Sequence, residues 1–357
     1  MIEGHGGNIY KIAQELECNP AEIVDMSSNV SPLGMPQGLE YYFREKWKEI
    51  GALPEVDSTS LRRLFAEKAG LDFDRVLTGN GTTEFIYSAP LALNMQKALI
   101  IGPTYSDYRD ACDAYDVSHR FYLARKEDKY QPNAVEIEGA LKGIDSVFVC
   151  NPNNPTGRLI PSKLLKELIY NHPKVRFIVD ESYMPFVPDV ASETLTRVDV
   201  DNLVVLHSFS KIFGIPGLRL GILTGSPELV NFFVRLKQPW SVNRLAQVAG
   251  AYLLEQGNFV VEVAQFVEKE REVFLGLIKD ITELRPFPSV TNFILVELAG
   301  GMKAPEVFHK MAQEKILIRD CSNFYGLNDR FIRIALKSSE ENRLCAEKLK
   351  ECYERRL

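Results

Sequence analysis

The fold is decided by two stretches of the chain, Val175-Arg-Phe-Ile-Val-Asp-Glu-Ser-Tyr183 and Leu203-Val-Val-Leu-His-Ser-Phe-Ser-Lys211. Each begins with a run of large apolar side chains, several of them β-branched, and ends in polar ones. Such runs, separated by helical segments, are typical of parallel strands that are covered on both faces. Ligands of open α/β sheets bind beyond the carboxyl ends of the strands, where Asp180 and Lys211 stand. We therefore expect one ligand site to contain both side chains.

The same pattern extends outward in both directions from these stretches. Further apolar runs lie at 75–78, 98–101, 146–150 and 218–223. The runs at 203–206 and 218–223 are too close for a crossover helix, so one of them is predicted to be antiparallel. The fold class is therefore α/β, with a mostly parallel sheet flanked by helices in a large domain.

Beyond residue 240 the pattern changes to that of a smaller α+β domain. Residues 259–279 carry apolar side chains at helical spacing, and strand candidates follow at 291–297 and 331–336. The first forty residues are rich in Gly, Pro, Asn and Ser and read as an irregular arm. We predict an arm (1–40) that joins the small domain, a large ligand-binding domain (41–240) and a small C-terminal domain (241–357).

Composition excludes several classes of function. The 357 residues include 42 Lys and Arg against 48 Asp and Glu, a net charge of −6, which argues against nucleic-acid or membrane partners. No stretch reaches 18 uncharged apolar residues, and the N-terminus lacks the basic and apolar regions of a secretory signal. The six cysteines form no C-x-x-C pair, so we expect reduced thiols, no metal site and a cytoplasmic location.

Polar residues follow other strands of the predicted sheet, and each has a structural explanation when it is taken alone. Gly81 and Thr82 open a helix whose backbone could hold a phosphate, although an ordinary tight turn is about as likely from the pattern. Asn154 lies in a rigid polar turn, and Asp180 could cap a helix. Lys211, at the end of a hydrophobic strand, could have a lowered pKa and act as an amine nucleophile. Four strand ends that supply a phosphate turn, an amide, a carboxylate and an amine favour one functional site.

Taken in order, these motifs resemble those of the fold-type I pyridoxal-phosphate enzymes, in the aminotransferase I/II superfamily. The motifs are Gly81-Thr82, Asn154-Pro-Thr-Gly157, Asp180-x-x-Tyr183, Ser208-x-x-Lys211 and Arg219. The resemblance continues at Arg333 and so covers nearly the whole chain. It implies that pyridoxal 5′-phosphate is the cofactor.

The resemblance also implies a role for each residue. Lys211 would bond covalently to the cofactor aldehyde, and Asp180 would keep the pyridine nitrogen protonated so that the ring accepts electrons. Tyr105 would stack on the ring as the third catalytic residue, while Tyr183 and Asn154 would bind its phenolic oxygen. The cofactor phosphate would be held by Gly81, Thr82, Ser208, Ser210 and Arg219.

The ends of the chain resemble the threonine-phosphate decarboxylase family, the cobalamin-pathway branch near the histidinol-phosphate aminotransferases. The matching segments are His5-Gly-Gly-Asn8, Ser28-Asn29-x-x-Pro-Leu-Gly34, Pro239-Trp-Ser-Val-Asn243 and Ile316-Leu-Ile-Arg-Asp-Cys321. This resemblance implies a homodimeric carboxy-lyase that converts L-threonine O-3-phosphate to an aminoalcohol phosphate for the cobamide nucleotide loop. It places His5, Asn29, Asn154, Arg319 and Arg333 around the substrate, and two arginines suit a small molecule with a phosphate and a carboxylate.

Two departures from that family leave the substrate open. Leu53 replaces a tyrosine that, in the family, reaches the cofactor phosphate of the neighbouring subunit, and Ser31 replaces an asparagine. L-Serine O-phosphate, one methyl group smaller, is therefore an alternative substrate.

Three rival functions differ in how well the sequence supports them. An aminotransferase acting on histidinol phosphate or an aromatic amino acid would use the same cofactor residues and stays an alternative. A transcription regulator would need a basic DNA-binding module, which the acidic balance and the length of 357 residues argue against. A dinucleotide-binding oxidoreductase would need a third glycine after Gly79 and Gly81, where the sequence has Glu84.

Overall fold

The structure, a computed structural model, describes residues 6–354. Its strands form three sheets. In chain order they are β1 (Val24–Asp25), β2 (Val76–Asn80), β3 (Lys97–Gly102), β4 (Ser118–Leu123), β5 (Ser146–Cys150), β6 (Arg176–Asp180), β7 (Leu203–Ser208), β8 (Leu220–Gly225), β9 (Leu284–Pro286), β10 (Phe293–Leu298), β11 (Ile316–Leu317), β12 (Arg319–Asp320) and β13 (Phe331–Ala335).

Helices alternate with the strands up to β8 and dominate the segment that follows. They are α1 (Ile9–Glu15), α2 (Leu39–Lys46), α3 (Thr59–Ala69), α4 (Thr82–Ala92), α5 (Asp107–Ala114), α6 (Ala134–Ala140), α7 (Ser162–Asn171), α8 (Val190–Glu193), α9 (Phe209–Ile212), α10 (Pro227–Val234), α11 (Arg244–Leu253), α12 (Gly257–Ile278), α13 (Ala304–Gln313) and α14 (Ser339–Glu354). No helix within residues 6–354 is both long and apolar enough to cross a membrane.

The largest sheet has seven strands in the order β2-β8-β7-β6-β5-β3-β4. Strands β3 to β7 pair in parallel, while β8 is antiparallel to both of its neighbours, β7 and β2. Only the one-turn helix α9 and a loop connect β7 to β8, too little chain for a parallel return. The predicted α/β class and the antiparallel strand are both confirmed.

Strand β4 is the one strand of this sheet that the sequence analysis missed. It is an edge strand bonded only to β3, and all six of its residues are at least partly exposed. Its sequence, Ser-His-Arg-Phe-Tyr-Leu, lacks the buried apolar run that marks the central strands. Sequence patterns that detect doubly covered strands therefore do not detect this one.

A second, antiparallel sheet has the order β12-β13-β10-β9, and β1 pairs separately with β11 in parallel. Pairing with β11 brings residues 24–25 next to residues 316–317. The boundaries at residues 40 and 240 stay predictions. An apolar cluster connects the turn after β4 to the second sheet, through Tyr130, Phe287, Leu295, Phe324 and Phe331.

The direction of the central strands determines where a site can form. Strands β5, β6 and β7 end side by side at Cys150, Asp180 and Ser208. Because β8 is reversed, it begins at this edge, and β2, reversed again, ends there at Asn80 opposite Leu220. Five strands therefore present loop residues at one edge of the sheet.

Candidate active site

One cavity at this edge collects the residues that the sequence analysis singled out. It is lined by side chains of both larger sheets and of the N-terminal arm, among them Asn29, Gly81, Thr82, Tyr105, Asn154, Asp180, Tyr183, Ser208, Ser210, Lys211, Arg219, Arg319 and Arg333. His5, the remaining candidate, lies outside the described residues. The structure thus brings these thirteen residues together, while their individual roles remain predictions.

Lys211 lies on α9, directly after β7, and is partly buried. Its backbone carbonyl accepts a hydrogen bond of 2.7 Å from the Ser31 amide of the N-terminal arm. Burial, with the positive charges of Arg333 and Arg219 nearby, lowers the pKa of the Lys211 amine to about 8, although Asp180 acts in the opposite direction. A large fraction of neutral amine near physiological pH is what attack on an aldehyde requires.

Asp180 is the last residue of β6, and only 5% of it is exposed. Its Oδ2 accepts a hydrogen bond of 2.8 Å from the Tyr108 hydroxyl, and its Oδ1 accepts one of 2.9 Å from the Ser182 amide. Burial raises the pKa of this carboxyl, and these hydrogen bonds oppose the rise. Within residues 6–354 no basic nitrogen lies within 4 Å of it, so a protonated ring nitrogen would supply the missing counter-charge.

Tyr108 lines the same cavity and was missed by the sequence analysis. It is fully buried on α5 and stacks on Phe148, with ring centroids 5.3 Å apart and planes 21° apart. Tyr105, the predicted stacking residue, meets the Tyr108 ring edge-on at 6.0 Å. The spacing of three residues between the two tyrosines, near the start of a helix, was the available signal.

The loop before α4 forms a cradle that excludes side chains. Gly81 has φ +76°, and a Cβ there would lie 2.4 Å from Nη2 of Arg219. Ser210 Oγ is buried and has no hydrogen-bond partner among the described residues. Backbone amides at a helix start, an arginine and an unpartnered hydroxyl form a donor set that fits a phosphate group.

Two further polar contacts organise the middle of the cavity. Asn29 donates from Nδ2 to the Tyr183 hydroxyl oxygen over 3.2 Å, and both residues are buried. Asn154 accepts from Nη1 of Arg333 through its side-chain oxygen, which leaves its amide NH₂ group as a donor. The Tyr183 hydroxyl and the Asn154 amide are therefore able to donate to a phenolic oxygen, as the resemblance implies.

Arg333, on β13, is the strongest sign of an anionic ligand. Only 5% of it is exposed, and its Nη2 donates to the Ser27 carbonyl oxygen over 2.5 Å. Its Nε has no hydrogen-bond partner, and no carboxylate of the described chain lies within 4 Å of it. Burial lowers the pKa of this guanidinium. A buried cation that lacks a paired carboxylate fits the binding of a substrate anion.

Arg319, on β12, lies in the same cavity and is held by residues that the sequence analysis did not select. Its Nη2 donates to Oδ1 of Asn323 over 2.7 Å, and its guanidinium lies 5.1 Å from the ring centroid of Phe324. Asn323 and Phe324 also line the cavity. Leu53, in contrast, is 76% exposed and does not line it.

Comparison with protein families gives a match over most of the chain. The profile of the family described as "Aminotransferase class I and II" matches residues 23–349. Threonine-phosphate decarboxylase of Salmonella typhimurium is 30% identical over 342 residues, which are 95% of this chain and 93% of that protein. Histidinol-phosphate aminotransferase of Methanothermobacter thermautotrophicus is 31% identical over 355 residues, 97% of this chain and 93% of that protein.

A third relative is longer than this chain. The adenosylcobalamin biosynthesis bifunctional protein CobDQ of Leptospira interrogans is 28% identical over 344 residues. The match covers 95% of this chain but 40% of that protein, so the chain spans less than half the length of this relative.

Solved structures of a threonine-phosphate decarboxylase and of a histidinol-phosphate aminotransferase are also similar to this chain. L-Threonine-O-3-phosphate decarboxylase from Porphyromonas gingivalis has a TM-score of 0.84 at 29% identity, covering 93% of this chain and 100% of that one. Histidinol-phosphate aminotransferase from Clostridium acetobutylicum has a TM-score of 0.87 at 29% identity, covering 94% of this chain and 100% of that one.

Proposed function

The chain belongs to the aminotransferase class I and II family, and we propose that it is a pyridoxal-phosphate-dependent carboxy-lyase acting on L-threonine O-3-phosphate. L-Serine O-phosphate is the alternative substrate. The product would be an aminoalcohol phosphate, which serves cobalamin biosynthesis in the family that the chain ends resemble. Relatives named threonine-phosphate decarboxylase, matched over nearly their whole length, support the proposal.

The observation that carries this proposal is the buried guanidinium of Arg333 in the same cavity as Lys211. A phosphorylated amino acid brings two anionic groups, and Arg333 and Arg319 offer two cations that can each bind one of them. Because Arg333 has no carboxylate partner among residues 6–354, an incoming anion replaces water rather than an existing ion pair.

Each of these cavity residues has a separate role in the proposed reaction. When bound, the cofactor supplies an electron sink for the bond that breaks at the substrate α-carbon. Asp180 would hold a proton on the ring nitrogen, and Tyr105 would pack against the ring. Arg333 and Arg319 would bind the two anionic groups of the substrate and so set the orientation of its α-carbon in the cavity. After carbon dioxide leaves, the protonated Lys211 amine or a water would donate a proton to the α-carbon.

An aminotransferase that acts on histidinol phosphate or an aromatic amino acid is the second candidate. The 31% identity to a histidinol-phosphate aminotransferase supports it. It would use the same cofactor residues, and only the orientation of the substrate would differ, because the bond turned out of the ring plane would be the one to the α-hydrogen.

One experiment separates the two candidates. The purified holoenzyme is incubated with L-threonine O-3-phosphate and, separately, with L-serine O-phosphate, while carbon dioxide and 2-oxo acid are assayed independently. We expect carbon dioxide without any added 2-oxo acid acceptor. If product forms only when a 2-oxo acid acceptor is added, the protein is an aminotransferase and not a decarboxylase. Lys211→Ala should abolish both turnover and the visible absorbance of the bound cofactor, and turnover retained in this variant would refute the proposal.

We also propose that the enzyme is a cytoplasmic homodimer. Large apolar side chains are exposed on residues 41–56 and at Trp240, whose amide donates to the Val56 carbonyl; they are Tyr41, Trp47, Ile50, Leu53, Val56 and Trp240. An apolar surface of this kind supports a contact with a second copy of the chain. All six cysteines are free thiols, which agrees with a reducing compartment.

A further inference from the structure

The loop after β1 is organised by a single carboxylate, that of Asp25. Its Oδ1 accepts hydrogen bonds from the Ser27 amide (3.0 Å), the Ser27 hydroxyl (2.6 Å) and the Ser28 amide (3.2 Å). Its Oδ2 accepts from the Ser28 hydroxyl. Four donors from two consecutive residues therefore converge on one side chain, which fixes the course of the backbone there.

The opposite side of this loop faces two cations of the second sheet and its following segment. The Ser27 carbonyl oxygen accepts from Nη2 of Arg333 over 2.5 Å, and the Ser28 carbonyl oxygen accepts from Nζ of Lys337 over 3.2 Å. The loop thus presents amides and hydroxyls to the carboxylate and carbonyl oxygens to the cations. If the Ser27 carbonyl changed direction, its hydrogen bond with Nη2 of Arg333 would shift, and the guanidinium would lose its orientation.

The same loop also contacts Gly6 and Gly7, at the N-terminal end of the described chain. The Gly7 amide donates to the Ser27 hydroxyl oxygen over 2.7 Å, while that hydroxyl donates to Asp25. At Gly6, which lines the cavity, a Cβ would lie 2.7 Å from the Ser27 carbonyl oxygen. The arm is therefore in close contact with the residue that orients Arg333.

We propose that Asp25 is a positioning residue for the substrate, which acts through Ser27 in two directions. Through the Ser27 carbonyl it sets the direction of Arg333, and through the Ser27 hydroxyl it holds Gly6 and Gly7 over the cavity. Its effect on substrate rests on the proposed function, because Arg333 is there assigned to a substrate anion. Asp25 is not among the residues lining the cavity, so it acts through these neighbours and through its negative charge. Burial lowers the pKa of Arg333 and of Lys337, and that charge opposes the effect.

An acceptor side chain is required here because four donors converge on it. Asp25→Ala removes the acceptor of both Ser27 donors, its amide and its hydroxyl, so the Ser27 carbonyl is no longer fixed opposite Arg333. Loss of one such hydrogen bond corresponds to a change of about tenfold in an equilibrium. We therefore expect Asp25→Ala to raise KM for L-threonine O-3-phosphate by at least about tenfold, with kcat and the cofactor Kd changed less than about twofold.

A double-mutant cycle tests whether Asp25 acts through Arg333. Arg333→Lys, which loses the two Nη donors, is measured alone and together with Asp25→Ala. If Asp25 positions Arg333, the KM increase in the double variant should be clearly smaller than the product of the two single increases, because only the effect through Gly6 and Gly7 is left. A KM increase equal to the product of the two single increases would overturn the proposal.

A second measurement does not depend on the reaction. Hydrogen–deuterium exchange of peptides covering residues 6–12 and 26–30 is compared between the wild type and the two variants Asp25→Ala and Ser27→Ala. Both variants should speed exchange at Gly7, because Asp25→Ala releases the Ser27 hydroxyl that accepts from the Gly7 amide and Ser27→Ala deletes it. Unchanged exchange in the arm would overturn the proposal even if KM rises.

The control is Asp189→Ala, at an exposed carboxylate that likewise accepts from a serine hydroxyl, Ser192, at 2.7 Å. It should alter neither KM nor exchange in residues 6–12, and a tenfold KM change there would count against the proposal. If the wild type releases no carbon dioxide, the proposed function fails by itself, while the exchange experiment still tests whether Asp25 holds the arm.

Discussion

Lys211 shares its cavity with three arginines, and the charges of two of them, Arg333 and Arg219, act on its amine. Together with burial they lower its pKa to about 8 from the usual value of 10.5. Only the neutral amine attacks the cofactor aldehyde, and its fraction grows as the pH rises toward and past the pKa. The rate at which apoenzyme takes up pyridoxal 5′-phosphate should therefore increase with pH, with a midpoint near 8, and then level off.

The same reasoning predicts the effect of removing one cation. In Arg333→Gln the positive charge that disfavours protonation of the Lys211 amine is absent, so the pKa of this amine should be higher. The midpoint of the pH profile should therefore lie above that of the wild type. Stopped-flow absorbance between pH 6.5 and 9.5 measures both profiles. A midpoint that stays fixed or falls in this variant would show that the charge of Arg333 does not reach Lys211.

Single residues also show where sequence reasoning succeeds and where it ends. Asp180 and Lys211 follow apolar strands directly, so the strand ends alone predicted that they would meet. Tyr108 lies inside a helix, and whether its side chain enters the cavity depends on its contact with Asp180. That contact forms between distant parts of the chain, and local pattern does not encode it.

At the scale of elements, three short turns built alike surround the cavity. In each, an aspartate side chain accepts from the amide of the serine two residues later, in Asp25-Met-Ser27, Asp180-Glu-Ser182 and Asp320-Cys-Ser322. Each turn is followed within two residues by a residue that lines the cavity, in order Asn29, Tyr183 and Asn323. The Asp-x-Ser pattern was visible in the sequence, but it also occurs at Asp116-Val-Ser118, outside the residues lining the cavity, so it does not by itself predict a site residue.

The turn between β2 and α4 leads to a prediction about cofactor binding. Gly81→Ala would place a methyl group against Arg219 and hold an L-residue at φ +76°, ψ 168°. Such backbone strain costs about 1–3 kcal/mol, so the Kd for pyridoxal 5′-phosphate should rise about tenfold to a hundredfold. Equilibrium titration of visible absorbance measures it.

Gly139→Ala is the matched control for this substitution. Gly139 lies in helix α6, and a Cβ there would meet nothing within 4 Å. Alanine favours helix formation, so cofactor affinity should stay at the wild-type value and the protein should become no less stable. Equal losses of affinity in both variants would indicate that Gly81 has no special role.

At the scale of the whole molecule, the exposed apolar surface on residues 41–56 predicts the oligomeric state. Trp47 is 59% exposed, and a large aromatic at the centre of an interface contributes about 2 kcal/mol or more. Trp47→Glu should therefore raise the dimer dissociation constant by at least about thirtyfold, as measured by sedimentation equilibrium. Tyr170→Glu, at a similarly exposed aromatic on α7, should leave it unchanged, and a monomeric wild type would contradict the proposal.

The reversed direction of β8 has a consequence for how the apoenzyme matures. The proposed phosphate site combines residues of the β2–α4 turn with Arg219, directly before β8, and residues 76–80 of β2 pair with residues 220–224 of β8. Contacts between such remote positions form slowly and late in folding. Vitamin B6, as its phosphorylated aldehyde, should therefore bind only after the sheet has formed, and it should stabilise the folded protein without raising the folding rate. When the vitamin is scarce, the protein should accumulate as folded, inactive apoenzyme that regains activity once the cofactor is added.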